Sequence, residues 1–141
     1  MFGGIEGGGT KFVCAVGTGP DDIVDEVRFP SAVPDVAFPQ IIEFFKRHPQ
    51  IKGLGLGFFG PLHPDPLSDQ YGHIGGTVKP GWTGVDVVGR LREALGVPIA
   101  FDTDVNAAAL GEATWGAGRG LRNVLYLTIG TGIGGGAVVE G

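Results

Sequence analysis

Residues 101–112, FDTDVNAAALGE, constrain this chain more than any other stretch. A short apolar run from Val97 to Phe101 stops at three polar residues, Asp102, Thr103 and Asp104, and an alanine-rich segment of high helix propensity follows. That pattern predicts a buried strand that delivers two carboxylates and a hydroxyl to the start of a helix. In α/β sheets, ligands gather where strands end at their carboxyl edge and helices begin. The first helical turn also has unpaired N–H groups and the positive end of the dipole, which favour an ionised carboxylate. A plainer alternative stands beside this one: Asp102, Thr103 or Asp104 could simply cap the helix.

With 141 residues the chain is long enough for one domain with its own core. It holds 28 glycines and 10 prolines, a share in the range that can signal disorder. An apolar content of 43% with clear periodicity argues for folding instead, so the clustered glycines are expected in turns and where backbone approaches a ligand. Ten basic against fifteen acidic residues give a net charge of −5 with no basic run, which speaks against nucleic acid and anionic membranes as partners. The single cysteine, Cys14, excludes an internal disulfide and a cysteine-rich zinc site, and its apolar neighbours predict a buried, inert thiol. Nothing resembles a membrane span or a leader, so a soluble, cytoplasmic protein is expected.

In chain order, Phe2 to Ile5, Lys11 to Thr18 and Ile23 to Phe29 read as a meander of three antiparallel strands, with a loop from Glu6 to Thr10. Phe38, Ile41, Ile42 and Phe45 fall at helical spacing, and Pro39 is tolerable there only in the first turn. Ile51 to Phe59 reads as a buried strand that Gly60-Pro61 breaks. Residues 62–82 show no periodicity and predict a long loop or a small hairpin around Tyr71–Thr77, of a length that is usually functional. A helix marked by Val88, Leu91 and Leu95 ends at Gly96. The strand and helix of 97–117 come next, and the glycines of 116–120 suggest a hinge. Beyond it, Asn123 to Ile129 and Ala137 to Val139 are strands around the glycine loop of 130–136. The expected division is an N-terminal α/β lobe over 1–117, with 118–141 as hinge and start of a second lobe. That second lobe is cut short, so a longer gene product is expected.

Gly130, Gly132 and Gly135 match the dinucleotide pattern G-x-G-x-x-G, but that motif needs a helix after it and a strand follows here. No Gly-Lys-Ser or Gly-Lys-Thr of a P-loop occurs. The two strand–glycine-loop–strand units suit a different task. Backbone N–H groups in such turns can cradle phosphate oxygens, Thr10 and Thr131 would add hydroxyls, and Glu6 could hold Mg²⁺ through water. Each loop alone could also be an ordinary tight hairpin. His63 and His73 have no spacing partner for a metal. Trp82 could stack on a sugar or anchor its loop.

Three motifs together, GIEGGGTKF (4–12), FDTDVNAAALGE (101–112) and LTIGTGIGGG (127–136), resemble the ROK family of repressors, open reading frames and sugar kinases, in its fructokinase-like branch. The resemblance runs essentially end to end. It implies the two-lobed actin-like, ribonuclease-H-like ATPase fold, of which this chain would be the first half. It also implies ATP-dependent, Mg²⁺-assisted phosphorylation of a hexose hydroxyl, fructose to fructose 6-phosphate first. Carried over by position, Gly8, Gly9, Thr10 and Lys11 contact phosphates from one loop, and Thr131 and Gly132 from the other. Asp104 matches the catalytic base. Gly60, Pro61, Gly76, Thr77 and Thr103 match sugar-binding positions. Glu6 stands where the wider superfamily has Asp, and Thr103 where a sugar-binding Asn is common. Further sugar ligands, the adenosine pocket and a structural Zn²⁺ site would lie beyond Gly141, and a homodimer is implied for the full-length form. The 141 residues alone are not expected to be a competent kinase.

Other hexose or N-acetylhexosamine kinases of the family, glucokinase-like ones included, are the alternatives, together with a non-catalytic sugar-binding protein. A sugar-sensing repressor is disfavoured, because the first glycine loop begins at residue 4 and the chain is acidic. Phosphoryl transfer needs positioned groups more than a strong base, so Asp104 must only be ionised and within reach of the hydroxyl. Asp102 is expected to point away and to serve as a cap or a structural group.

Overall fold

A central strand with a neighbour on each edge organises the fold of this protein, a computed structural model that describes residues 1–130 and 132–141. Strand β1 (Phe2–Gly7) pairs antiparallel with β2 (Lys11–Gly19), which pairs antiparallel with β3 (Asp22–Pro30). On its other edge β1 runs parallel to β4 (Leu54–Phe58), and β4 runs parallel to β5 (Ile99–Thr103). The five-stranded sheet therefore has the order β3-β2-β1-β4-β5. The antiparallel meander is present as the alternation of residues predicts. Pairing on both edges carries β1 through Gly7, so Glu6 belongs to a strand and the loop shrinks to Gly8, Gly9 and Thr10.

Alternation sorts the sheet into two faces. Ile5, Phe12, Cys14, Val16, Leu56, Phe58 and Phe101 face one layer and are buried. That layer contains helix α1 (Pro34–Lys46) and helix α2 (Val87–Leu95). Full burial of each such side chain contributes about 1.5–3 kcal/mol. The rings of Phe12, Phe38, Phe58 and Phe59 surround Trp82 at 5.4–6.0 Å between centroids. Helix α2 ends where expected, and its start has a cap that was not anticipated. The Asp86 side chain accepts from the Gly89 N–H, and Gly96 ends the helix with φ 67°.

Helix α1 departs from expectation. It begins at Pro34, not near Phe38, so Pro39 lies inside it and not in its first turn. A proline at the first helical position needs no N–H partner, and Val33 supplies no side-chain cap. Pro39 is tolerated because it sits on the exposed side, where the Asp35 carbonyl that loses its partner meets water. Residues 59–86 form a long loop braced by single bridges, Leu62 to Ile74 and His73 to Asp86.

The other face of the sheet carries helix α3 (Asp104–Thr114). Gly57 permits its close seat, since a Cβ there would lie 2.9 Å from the Ala107 Cβ. A separate hairpin, β6 (Asn123–Ile129) and β7 (Ile133–Val139), packs on α3. Its Gly136 would place a Cβ on the Val105 carbonyl, so only glycine fits. Leu125, Leu127, Ile129, Ile133 and Val139 of the hairpin remain exposed.

Candidate functional site

Three parallel strands end at one edge of the sheet, and nearly every residue singled out in the sequence is there. Strand β1 ends in the turn Gly8-Gly9-Thr10, β4 runs into Gly60-Pro61, and β5 delivers Thr103 and Asp104. The ends are stitched together. The Phe59 N–H donates to the Gly7 carbonyl at 2.8 Å, and the Gly75 N–H to the Pro61 carbonyl at 2.7 Å. The loop with Gly76 and Thr77 is thereby held against the Gly60-Pro61 turn.

The register places Glu6 opposite Gly57, and Gly57 opposite Asp102. The three form one row across the face that bears α3. At about 4.8 Å per strand the two backbones stand roughly 10 Å apart, with no strand side chain between them because Gly57 has none, and Ala107 of α3 sits over that gap. The next row, Gly4, Gly55 and Ala100, is also small. Together these rows floor a cleft of about 900 Å³, walled by Asp104, Val105 and Asn106 of α3 and roofed by the hairpin at Tyr126, Thr128 and Val138. Gly8, Gly9, Thr10, Lys11, Gly60, Pro61, Gly76 and Thr77 do not line this cleft; they stand beyond its mouth at the strand ends.

Asp102 does not point away. Residues two apart along an extended segment share a face, and Asp102 and Asp104 both line the cleft. Their bonding separates them. The Asp102 Oδ1 accepts from the Asn106 side-chain amide at 2.9 Å and from the Thr103 N–H at 2.6 Å. The helix cap is Thr103, whose hydroxyl oxygen accepts from the Asn106 N–H at 3.1 Å. Asp104, the first helical residue, accepts only from the adjacent Val105 N–H, at 2.9 Å through Oδ1. Among the described residues its Oδ2 meets no donor. A half-buried carboxylate with one open oxygen, at a helix N-terminus and above a cleft, is suited to accept a proton from a bound hydroxyl.

The first glycine turn shows its N–H groups outward. The Gly8 N–H closes the turn onto the Lys11 carbonyl at 3.0 Å. Among the described residues the N–H groups of Gly9 and Thr10 meet no acceptor, and a Cβ on Gly9 would touch nothing within 4 Å. Open donors on a glycine turn fit phosphate oxygens. In the second turn the Gly130 N–H bonds to the Gly132 carbonyl at 2.9 Å, and Thr131 lies outside the described residues. A strand follows it, as the exclusion of a dinucleotide motif requires. Among the described residues no three His, Cys, Asp or Glu side chains converge on a metal position. Glu6 alone at the cleft edge fits a cation that arrives with phosphates and keeps its waters.

Two expectations resolve in favour of structure over chemistry. Trp82 is 2% exposed, its faces covered by phenylalanines, and its Nε1 donates to the Ala32 carbonyl at 2.9 Å. It anchors the loop. Cys14 is buried, and burial pushes its thiol up to about 12. Sequence reasoning missed Asn106, which joins the cleft wall to Asp102, and Ser31 and Lys79, which grip the back of the first glycine turn. No spacing signals them, since each acts across more than twenty residues or through a helical turn.

The sheet order, the glycine turns and the carboxylate-bearing helix start define the first lobe of an actin-like ATPase fold. The ROK family profile matches residues 2–141, and the chain belongs to that family. It is 44% identical over 140 residues to a fructokinase of Lactococcus lactis subsp. cremoris, covering 99% of this chain and 47% of the relative. It is 42% identical over 146 residues to a fructokinase of Zymomonas mobilis subsp. mobilis, covering 100% of this chain and 48% of that protein. The ROK hexokinase structure from Thermus thermophilus superposes with a TM-score of 0.81 at 32% identity, over 99% of this chain and 47% of that one. The chain thus spans about half the length of the relatives it matches.

Proposed function

We propose that this chain is the first half of an ATP-dependent hexose kinase, with fructose as the favoured acceptor and C6 its phosphorylated hydroxyl. The observation that carries the reading is a glycine turn with open N–H groups and an Asp104 oxygen that meets no donor among the described residues, both at one sheet edge. The relatives named fructokinase support the choice of sugar. Gly8, Gly9, Thr10 and Lys11 hold phosphates from one side, and Thr131 and Gly132 from the other. Gly60, Pro61, Gly76, Thr77 and Thr103 face the sugar. Residues 118–141 are the hinge and the start of the second lobe, a reading supported by the exposed apolar face of the β6–β7 hairpin.

The sugar hydroxyl oxygen forms a bond to the γ-phosphorus of ATP as the bond to the ADP oxygen breaks, and the hydroxyl proton passes to Asp104 Oδ2. Catalysis of this kind is mostly positioning and charge stabilisation. A magnesium ion, held by Glu6 through water, would neutralise phosphate charge when bound. In the full-length protein Asp104→Asn is expected to lower kcat about 10²- to 10⁴-fold while the hexose still binds. Transfer from radiolabelled ATP is measured across a panel of hexoses. If no hexose is labelled by the parent protein, the kinase reading is wrong, and near-normal turnover by Asp104→Asn removes Asp104 as the base.

A further inference from the structure

The turn Gly8-Gly9-Thr10 is held from behind by its carbonyls. The Ser31 hydroxyl donates to the Gly8 carbonyl at 2.8 Å, and the Ser31 N–H donates to the Thr10 carbonyl at 2.9 Å. The remaining carbonyl, of Gly9, accepts from Lys79 Nζ at 2.6 Å, and the same ammonium lies 3.4 Å from the Gly8 carbonyl. It also sits 4.6 Å from the centre of the Phe59 ring. Each peptide group turns its carbonyl toward the cation and hence its neighbouring N–H away from it. Charge-assisted bonds of this length are the stronger kind.

Lys79 comes from the other side of the site. It belongs to the loop 75–82, and its own N–H donates to the Thr77 hydroxyl oxygen at 3.3 Å. The Thr77 N–H donates to the Thr83 hydroxyl oxygen at 3.2 Å, which ties the loop into one unit. One side chain therefore joins the loop placed at the sugar to the turn placed at the phosphates, across 70 residues of sequence.

We propose that Lys79 is a positioning residue for phosphoryl transfer. It fixes the phosphate turn with its N–H groups outward and links the state of that turn to the loop carrying Thr77. This inference rests on the reading of the turn as a phosphate site. Nucleotide affinity then depends on Lys79, whereas binding of the hexose alone does not.

The test is calorimetric titration of the full-length protein with a non-hydrolysable ATP analogue plus Mg²⁺, and separately with fructose, for the parent, Lys79→Met and Lys79→Arg. Loss of hydrogen bonds from a charged donor predicts analogue binding weakened about 10- to 100-fold in Lys79→Met. Fructose binding is unchanged, and Lys79→Arg, which can still donate to both carbonyls, recovers most of the loss. In steady state the Lys79→Met defect falls on KM for ATP more than on kcat. Equal weakening of both ligands would reduce Lys79 to a general stabiliser and overturn the proposal, as would unchanged analogue binding or failure of arginine to rescue. If Lys79→Met does not fold, Lys79→Arg and Ser31→Ala decide. The proposal then requires parent-like analogue affinity in Lys79→Arg and a selective loss in Ser31→Ala. A parent that binds no analogue refutes the kinase reading itself, a result distinct from a parent and a Lys79→Met variant that bind alike.

Discussion

Replacement of Gly57 by alanine tests whether the cleft depends on how closely α3 sits on β4. A Cβ on Gly57 would lie 2.9 Å from the Ala107 Cβ and 3.3 Å from the Asp104 Cα. Carbon atoms settle about 3.5–4.0 Å apart, so the first turn of α3 must retreat by roughly 0.6–1 Å. Overpacking of this size costs about 1–3 kcal/mol of stability. Asp104 moves with that turn. A misplacement of about 1 Å at reacting groups can cost about 10²-fold in rate, so kcat should fall about 10- to 100-fold, equivalent to about 1.4–2.7 kcal/mol of barrier. Gly55 is the control. It lies on the same strand and the same face, yet a Cβ there meets nothing within 4 Å. Gly55→Ala adds a methyl to the cleft floor without displacing α3, so kcat should fall far less than in Gly57→Ala. Steady-state phosphate transfer at saturating ATP and hexose, beside a thermal melt, separates the two variants in the full-length protein. If Gly57→Ala and Gly55→Ala turn over alike, the seat of α3 does not position Asp104, and the assignment of the carboxylate loses its structural support.

Two further predictions address residues that the fold has claimed. Trp82→Ala should destabilise the protein by about 3–5 kcal/mol in urea titration, with hexose affinity preserved under conditions where the variant is folded; a selective loss of hexose affinity at unchanged stability would return Trp82 to the sugar site. Cys14 should resist alkylation at pH 8 in the native protein and label fully once unfolded, read by mass spectrometry of its peptide. Its folded value of about 12 exceeds the ordinary value of 9.0. The associated stability is therefore fully present below about pH 9 and is lost as pH rises through about 12.

The sequence made the strands and α2 legible because each carries a local signal: apolar runs and alternation in the strands, and the spacing of Val88, Leu91 and Leu95 with a closing Gly96 in α2. Helix α1 was half legible. Its apolar spacing is plain, but its first turn is set by Pro34 and by the packing of Ala37, which no cap residue announces. The loop 59–86 was legible as a loop, but its internal order was not, because that order comes from two single-residue bridges and from Trp82, not from any repeat. In the candidate site, the strand-to-helix junction at Asp104 and the glycine turn were legible from residue type and position. The row of Glu6, Gly57 and Asp102 was not. It is a product of register between strands about fifty residues apart in sequence, and register is written in pairing, not in spacing.

The stretch 101–112 shows why capping and catalysis need not compete for one side chain. A strand that turns directly into a helix leaves four N–H groups unpaired, and an aspartate at that point would ordinarily be drawn onto them. Here Thr103 takes the cap, so the Asn106 N–H is satisfied without a carboxylate. Asp102 also lines the cleft, but its Oδ1 is engaged by the Asn106 side chain and the Thr103 N–H. What remains is Asp104, inside the positive field of the first turn yet committed to it by one oxygen only. Among the described residues its second oxygen meets no donor. Had the cap been Asp104, the same charge would have been spent on the helix. The order Asp-Thr-Asp-Val-Asn thus gives Thr103 and Asp102 structural duties and leaves Asp104 with an open oxygen, which is the feature the proposed role of general base requires.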